Sequence, residues 1–353
     1  MLDGRRIGLV LLSAIGDVVH AFPLVASIRA AAPRARIEWV VQPTPAEIVR
    51  RHPDIDRTWV LDRDRGWRGY HSFHRRMRNE IFDLVLVLQV YAKASFATFL
   101  LNSPRKIGFD RPRSRELGWI APNEHIPTRP LRHVCEQYLE FADHLGVSRR
   151  YAWALPLTIE ERARQGRFLD ALDRPLAALV PGTSRSVKQW PAERWADVAE
   201  GLHDLGYAPC LVGGGGIAER SLGARIVERA RAPIRDLLRP DLRRLLWILD
   251  GAALVVACDT GPYHLAVALG VPAVGLYGAT DPARVGPNRR FLELVVDAYH
   301  DPGEPWHPVS DAIRPGRMNH IAAEHVMQAV ALARARYPRA AEGPARAWAP
   351  ESA

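Results

Sequence analysis

Four short stretches carry residue types that can hold a charged substrate or move a proton. The first is Ser13-Ala14-Ile15-Gly16-Asp17, directly behind an apolar run. Gly16 permits a tight backbone turn, and Asp17 falls near a helix start. A carboxylate there can accept a proton from a substrate hydroxyl; equally, it can do no more than complement the helix dipole. The second runs from Val180 to Pro191 and contains Thr183, Ser184 and Lys188. Its hydroxyls and backbone N–H groups suit phosphate oxygens, and Lys188 adds a point charge. An ordinary polar loop between strand and helix reads the same way. In the third, Cys258-Asp259-Thr260-Gly261-Pro262-Tyr263-His264, a strand end opens a helix whose free N–H groups and dipole attract anions. Asp259 can instead cap that helix, and His264 can be structural. The fourth is the glycine run 213–216 followed by Glu219. Such a run lets backbone approach a ligand closely, and Glu219 can bond a ribose; a flexible turn is the alternative. Walker A spacing is absent, and no G-x-G-x-x-G fingerprint follows the first strand of either half.

Such residues act only where a scaffold fixes them, and the hydrophobic pattern describes one. Continuous apolar runs at 7–12, 37–41, 58–61 and 84–88 predict strands buried on both faces. Helical spacing alternates with them at 17–32, 45–51, 71–80, 92–101 and 131–145. The alternation restarts after Gly146, with strands at 177–180, 208–212, 254–257 and 273–277. Helices are expected there at 159–172, 192–205, 218–230, 241–249, 263–269 and 322–337. This order predicts an α/β chain with mostly parallel, doubly wound sheets. We expect two Rossmann-like domains, 1–155 and 156–337, facing each other across a cleft, with 338–353 as a flexible tail. In open α/β sheets ligands bind beyond the carboxyl ends of the strands. Three of the stretches follow strands of one domain, so they should converge on one edge holding a nucleotide diphosphate, with Asp17 opposite.

Length and composition agree. The chain has 353 residues, 48% hydrophobic and 25% charged, ordinary values for a globular protein and enough length for two domains. No apolar run nears the roughly 20 residues of a membrane span. Residues 7–12, after Arg5-Arg6, are too short for a secretory leader, so none is expected. Cys135, Cys210 and Cys258 are scattered, which argues against disulfides and zinc and for a reducing cytoplasm. The net charge of +9 is uneven: residues 1–150 hold 24 Lys and Arg against 16 Asp and Glu, the remainder 24 against 23. A basic half fits nucleic acid, an anionic membrane, an acidic substrate, or simply a solvated surface. Only Lys93, Lys106 and Lys188 are lysines.

In order and spacing, the motifs resemble the family 9 glycosyltransferases, the lipopolysaccharide heptosyltransferases, and the first heptosyltransferase more than the second. The resemblance is carried by Ser13-x-x-Gly16-Asp17, by Pro181-Gly182-Thr183-Ser184 with Lys188-x-Trp190-Pro191, and by Asp259-Thr260-Gly261 with His264-Leu265-Ala266. Tyr277-Gly278-Ala279-Thr280-Asp281-Pro282 and Arg317-Met318-Asn319-His320-Ile321 extend it over nearly the whole chain. It implies the GT-B fold. It also implies inverting transfer of heptose from ADP-L-glycero-β-D-manno-heptose to the 3-deoxy-manno-octulosonic acid (Kdo) inner core of lipid A. Asp17 would be the base for the acceptor hydroxyl and Lys188 the catalytic cation that holds the diphosphate. Gly16, Thr183, Ser184, Glu219, Asp259, Thr260, Gly261 and His264 would complete the donor site. Residues 106–110 with Arg113 and Arg115 resemble a basic acceptor-side stretch. Arg63, Arg65, Arg68, Arg75 and Arg76 fall in the acceptor-facing loop and helix, where guanidinium forks fit Kdo carboxylates and lipid A phosphates. Neither metal nor cofactor is expected, because lysine, N–H donors and helix dipoles can carry the leaving group's charge. The expected location is the cytoplasm, with peripheral contact at the inner membrane and no nucleic-acid partner. Rival readings are another donor or acceptor within the family, a nucleotide-binding dehydrogenase or epimerase, and a nucleic-acid binder. The nucleic-acid reading lacks a recognition helix, aromatic RNA platform or zinc module.

Overall fold

A computed structural model describes residues 2–339; of the expected tail, 340–353 lies outside the described residues. The chain divides into two compact units. One comprises the residues up to Pro130 with Val134–Pro156, the other Leu131–His133 with the chain from Leu157 onward.

In the first unit β1 (Arg6–Val10), β2 (Arg36–Val41), β3 (Arg57–Val60), β4 (Leu84–Val87), β5 (Lys106–Gly108) and β6 (Glu124–His125) form one parallel sheet. Its order is β3-β2-β1-β4-β5-β6. Its helices are α1 (Ile15–Ala31), α2 (Pro43–Val49), α3 (Trp67–Met77), α4 (Ala92–Phe99) and α5 (Val134–His144). Ile7, Leu9, Val10, Val85 and Leu86 are fully buried, which is why these strands read as unbroken apolar runs. Helix α1 is apolar almost all round because it is buried between the sheet and α5.

The second unit repeats the plan. β7 (Leu176–Val180), β8 (Ala208–Leu211), β9 (Arg235–Asp236), β10 (Leu254–Cys258), β11 (Ala273–Tyr277) and β12 (Val295–Asp297) form a parallel sheet ordered β12-β11-β10-β7-β8-β9. Around it lie α6 (Ile159–Asp170), α7 (Ala192–Asp204), α8 (Ile217–Arg229), α9 (Leu242–Gly251), α10 (Gly261–Ala268), the short α11 (Pro282–Val285) and α12 (Ala323–Arg336). Counted from its own first strand, each sheet runs third-second-first-fourth-fifth-sixth. That Rossmann-type order creates a switch point between first and fourth strands, where ligands bind. Those neighbours are β1 and β4 in one unit, β7 and β10 in the other. Two Rossmann-like units agree with the GT-B expectation.

Every strand expected from the sequence is present within two residues. β5, β6, β9 and β12 were not expected; each is two or three residues long and lies toward a sheet margin. Helix α3 begins at Trp67 rather than 71, because Gly66, at φ +54°, turns the chain into it.

Candidate functional site

The three stretches of the second unit leave adjacent strands. β10 pairs with β7 through Ala257 and Val180, and β7 pairs with β8 through Leu179 and Leu211, so their carboxyl ends open side by side. At the centre is buried Asp259. It does not cap α10; Thr260 holds that position without a side-chain bond. The Asp259 carboxylate instead meets Lys188 Nζ at 2.5 Å and accepts the Thr280 hydroxyl at 2.8 Å, both on Oδ2. Its Oδ1 lies 3.2 Å from His264 Nε2. Burial alone would push this carboxyl up, but the His264 hydrogen bond and the Lys188 charge outweigh it and hold it well below the ordinary carboxylate range. Asp259 is thus ionised at neutral pH and fixes the lysine.

The neighbouring loops are shaped around this pair. Lys188 ends a single 3-10 turn, Ser186–Lys188. Thr183 Oγ1 donates to the Arg185 carbonyl at 2.8 Å, and Ser184 is exposed. Gly261 opens α10, and the Thr260 hydroxyl is buried without a partner. Glu219 in the first turn of α8 folds under the glycine loop, where Oε2 accepts the Gly215 N–H at 2.8 Å. A Cβ on Gly182 or Gly213 would lie 2.0 or 1.9 Å from Glu219 Oε1, so the carboxylate fits only because both are glycine. Burial raises its pKa, opposed by the N–H groups of Gly215, Gly216 and Gly214. Spacing alone does not single out Thr280 as a site residue. It follows β11, and the signal for it is that β11 neighbours β10.

In the first unit Asp17 lies in the first turn of α1, half-buried beside buried Gly16, and its Oδ2 accepts the Ala14 N–H at 2.9 Å. Gln89 pins the loop after β1 to the end of β4: it accepts from Leu12 N–H at 3.2 Å and donates to Ser13 O at 2.7 Å. Lys93 of α4 donates to Ser13 Oγ at 3.0 Å. Burial lowers the Lys93 pKa, the Arg63 charge adds to that, and Asp17 and Glu116 oppose it. Sequence reading did not place Lys93 in a site, since it reaches Ser13 only because β1 and β4 are neighbours. Each unit therefore sets a lysine near an aspartate at its switch point.

Among the expected acceptor arginines, Arg113 is held within its own unit. Its side chain is only 10% exposed, and all three guanidinium nitrogens are engaged inside the unit, by Asp110, by Glu140 at 2.6 Å and by the Pro127 carbonyl at 3.0 Å. It clamps the turn after β5 to α5. Arg63 Nε donates to Tyr70 OH at 3.2 Å. Arg65 and Arg68 are exposed at the start of α3, and Arg115 in the loop 111–120. Among the described residues, no group of three or more His, Cys, Asp or Glu is placed to hold a metal, and no helix is long and apolar enough to cross a membrane.

Residues 70–301 match the family model for glycosyltransferase family 9 (heptosyltransferase). The lipopolysaccharide core heptosyltransferase OpsX of Haemophilus influenzae is 30% identical over 298 residues, covering 82% of this chain and 83% of that protein. The family 9 glycosyl transferase of Veillonella parvula shares the fold, with a TM-score of 0.78 at 24% identity over 94% of this chain and 97% of that one. The Escherichia coli heptosyltransferase WaaC, solved with ADP-2-deoxy-2-fluoro heptose, has a TM-score of 0.69 at 26% identity over 93% of this chain and 99% of that one. Likeness of sequence over most of the chain and of fold over nearly all of it converge, and this chain belongs to glycosyltransferase family 9.

Proposed function

We propose that this glycosyltransferase moves heptose from ADP-L-glycero-β-D-manno-heptose to the Kdo inner core of lipid A, with inversion. The observation that carries the reading is the constellation of half-buried Lys188 with buried Asp259, His264 and Thr280 at the second unit's switch point, in a chain similar to enzymes named for lipopolysaccharide heptose transfer. The diphosphate of the donor binds there. Lys188 faces its charge, while Thr183, Ser184, the buried Thr260 hydroxyl and the Gly261 N–H donate to its oxygens. Glu219, under the glycine loop, meets the ribose, and Asp259 and His264 hold the lysine and face the sugar. As the bond between the anomeric carbon and the phosphate oxygen breaks, charge grows on that oxygen, and preset donors stabilise it more than they stabilise the bound donor. On the first unit, Asp17, which Gly16 lets the chain turn to present, takes the proton of the acceptor hydroxyl. The acceptor oxygen forms the new bond in one displacement, and the sugar's configuration inverts. Lys93, Arg63, Arg65, Arg68 and Arg115 meet the acceptor's carboxylates and phosphates. A membrane-borne acceptor puts the reaction at the cytoplasmic face of the inner membrane.

Asp17→Asn is the direct test, because an amide oxygen can still accept the Ala14 N–H while the base is gone. Calorimetry should show ADP binding within twofold of wild type, and transfer should fall by about 10²–10⁴-fold. Full turnover by the variant refutes Asp17 as base. Incubation with ADP-, UDP- and GDP-sugars and a deacylated Kdo acceptor, with products weighed and the anomer read by NMR, checks donor and stereochemistry. Transfer should persist in chelator; transfer only from another nucleotide sugar replaces the donor assignment.

A further inference from the structure

We propose that α3 and α4 form a docking surface for an anionic phospholipid bilayer. Helix α3 buries Gly69, Phe73 and Met77, half-buries Tyr70 and exposes its other residues. No acidic residue occurs from 65 to 79. Arg6, Arg29, Arg105 and Arg149 of the same unit pair with acids. Arg65, Arg68, Arg75 and Arg78 have no ion pair among the described residues. With Trp67 and His71, three of them line an open groove of about 660 Å³.

Aromatic rings interleave with this charge. Trp67 is 73% exposed. One turn on, Tyr70 meets Phe96 of α4 edge-on, ring centroids 4.8 Å apart. One turn beyond Phe96 stands Phe99, 56% exposed. Trp67, Phe96 and Phe99 are the exposed tryptophan and phenylalanines among the described residues, and the Tyr70–Phe96 contact joins the two helices that carry them. Ser95 Oγ donates to Gly118 O at 2.7 Å, which ties the loop carrying exposed Leu117 and Ile120 to α4. Tryptophan settles at the headgroup level of a bilayer, arginine stems lie on apolar surface with their heads among phosphates, and a basic, aromatic helix face binds anionic interfaces. Charge and apolar rings together fit anionic lipid, whose phosphates meet the one and acyl chains the other; an acidic protein surface answers the charge alone.

The role of this surface rests on the acceptor being membrane-borne, as proposed above, so the test separates the two. Flotation of the full chain with vesicles of phosphatidylethanolamine and phosphatidylglycerol is compared with flotation on pure phosphatidylcholine. Wild type should bind the anionic vesicles and lose at least tenfold in affinity on neutral ones. Trp67→Ser with Phe99→Ser, and separately Arg75→Glu with Arg78→Glu, should each lose at least tenfold on anionic vesicles. The aromatic pair variant should still turn over a deacylated soluble acceptor like wild type. Equal flotation on neutral lipid, unaltered flotation of both variants, or preference for duplex DNA over vesicles overturns the docking surface. Lost flotation with intact turnover confirms the surface in the variant, and absent wild-type turnover with intact flotation counts against the acceptor reading alone.

Discussion

Lys188 is engaged before any substrate arrives. One buried carboxylate holds it at 2.5 Å, and that carboxylate is itself held by Thr280 and His264. Asp259→Asn keeps the shape and removes the charge. Breaking such a pair leaves a cation without its partner, and about 3 kcal/mol of stability should be lost in urea titration. Calorimetry should show ADP binding weakened at least tenfold, since the lysine is no longer aimed. The pH dependence has a definite sign. A carboxyl held low in the folded state contributes stability that is complete above its unfolded pKa and is lost as pH falls through the lower folded value. The variant should therefore show a flatter acid limb than wild type. At this scale the sequence disclosed residue types better than partnerships. Asp17, Lys188 and Asp259 stand out where strands end, whereas Lys93 and Thr280 gain their meaning from strand neighbours that spacing does not reveal. The internal pairing of Arg113 was not legible, because a basic run looks the same whether its members face solvent or, as here, an internal Asp110 and Glu140.

Loops after β7 and β8 share one side chain, Glu219, and two glycines make room for it. Gly182→Ala should cost about 1–3 kcal/mol through this collision. Adding Glu219→Ala should restore most of the loss, a coupling that thermal melts of the single and double variants will read. If the double variant is no more stable than Gly182→Ala alone, Glu219 is not the obstacle. The strands flanking these loops were legible because burial on both faces leaves an unbroken apolar signature, as in residues 254–257. Marginal strands such as β9, Arg235–Asp236, have two exposed residues and no such signature. The start of α3 was hidden for another reason: a glycine at positive φ, not a polar capping residue, introduces it.

For the molecule as a whole, charge divides with sequence: the first 150 residues carry the excess of basic groups and the remainder is close to neutral. Binding of a polyanionic acceptor should weaken steeply with salt, while donor binding, built on short-range contacts, should respond little. Raising sodium chloride from 0.05 to 0.5 M should raise the acceptor KM by about tenfold and the donor KM by less than threefold. Parallel responses would assign the basic excess to solvation alone. The same strand order occurs twice, yet the two side chains at the switch point trade places. In the first unit the aspartate follows the first strand and the lysine the fourth; in the second unit the lysine follows the first and the aspartate the fourth. Ala14, which donates to Asp17, lies in the first unit, and Lys188, Thr280 and His264, which meet Asp259, lie in the second. A duplicated scaffold can thus divide labour without altering its backbone plan, and a change of preference for one substrate can evolve by substitutions confined to one half, leaving the other half's chemistry as it was.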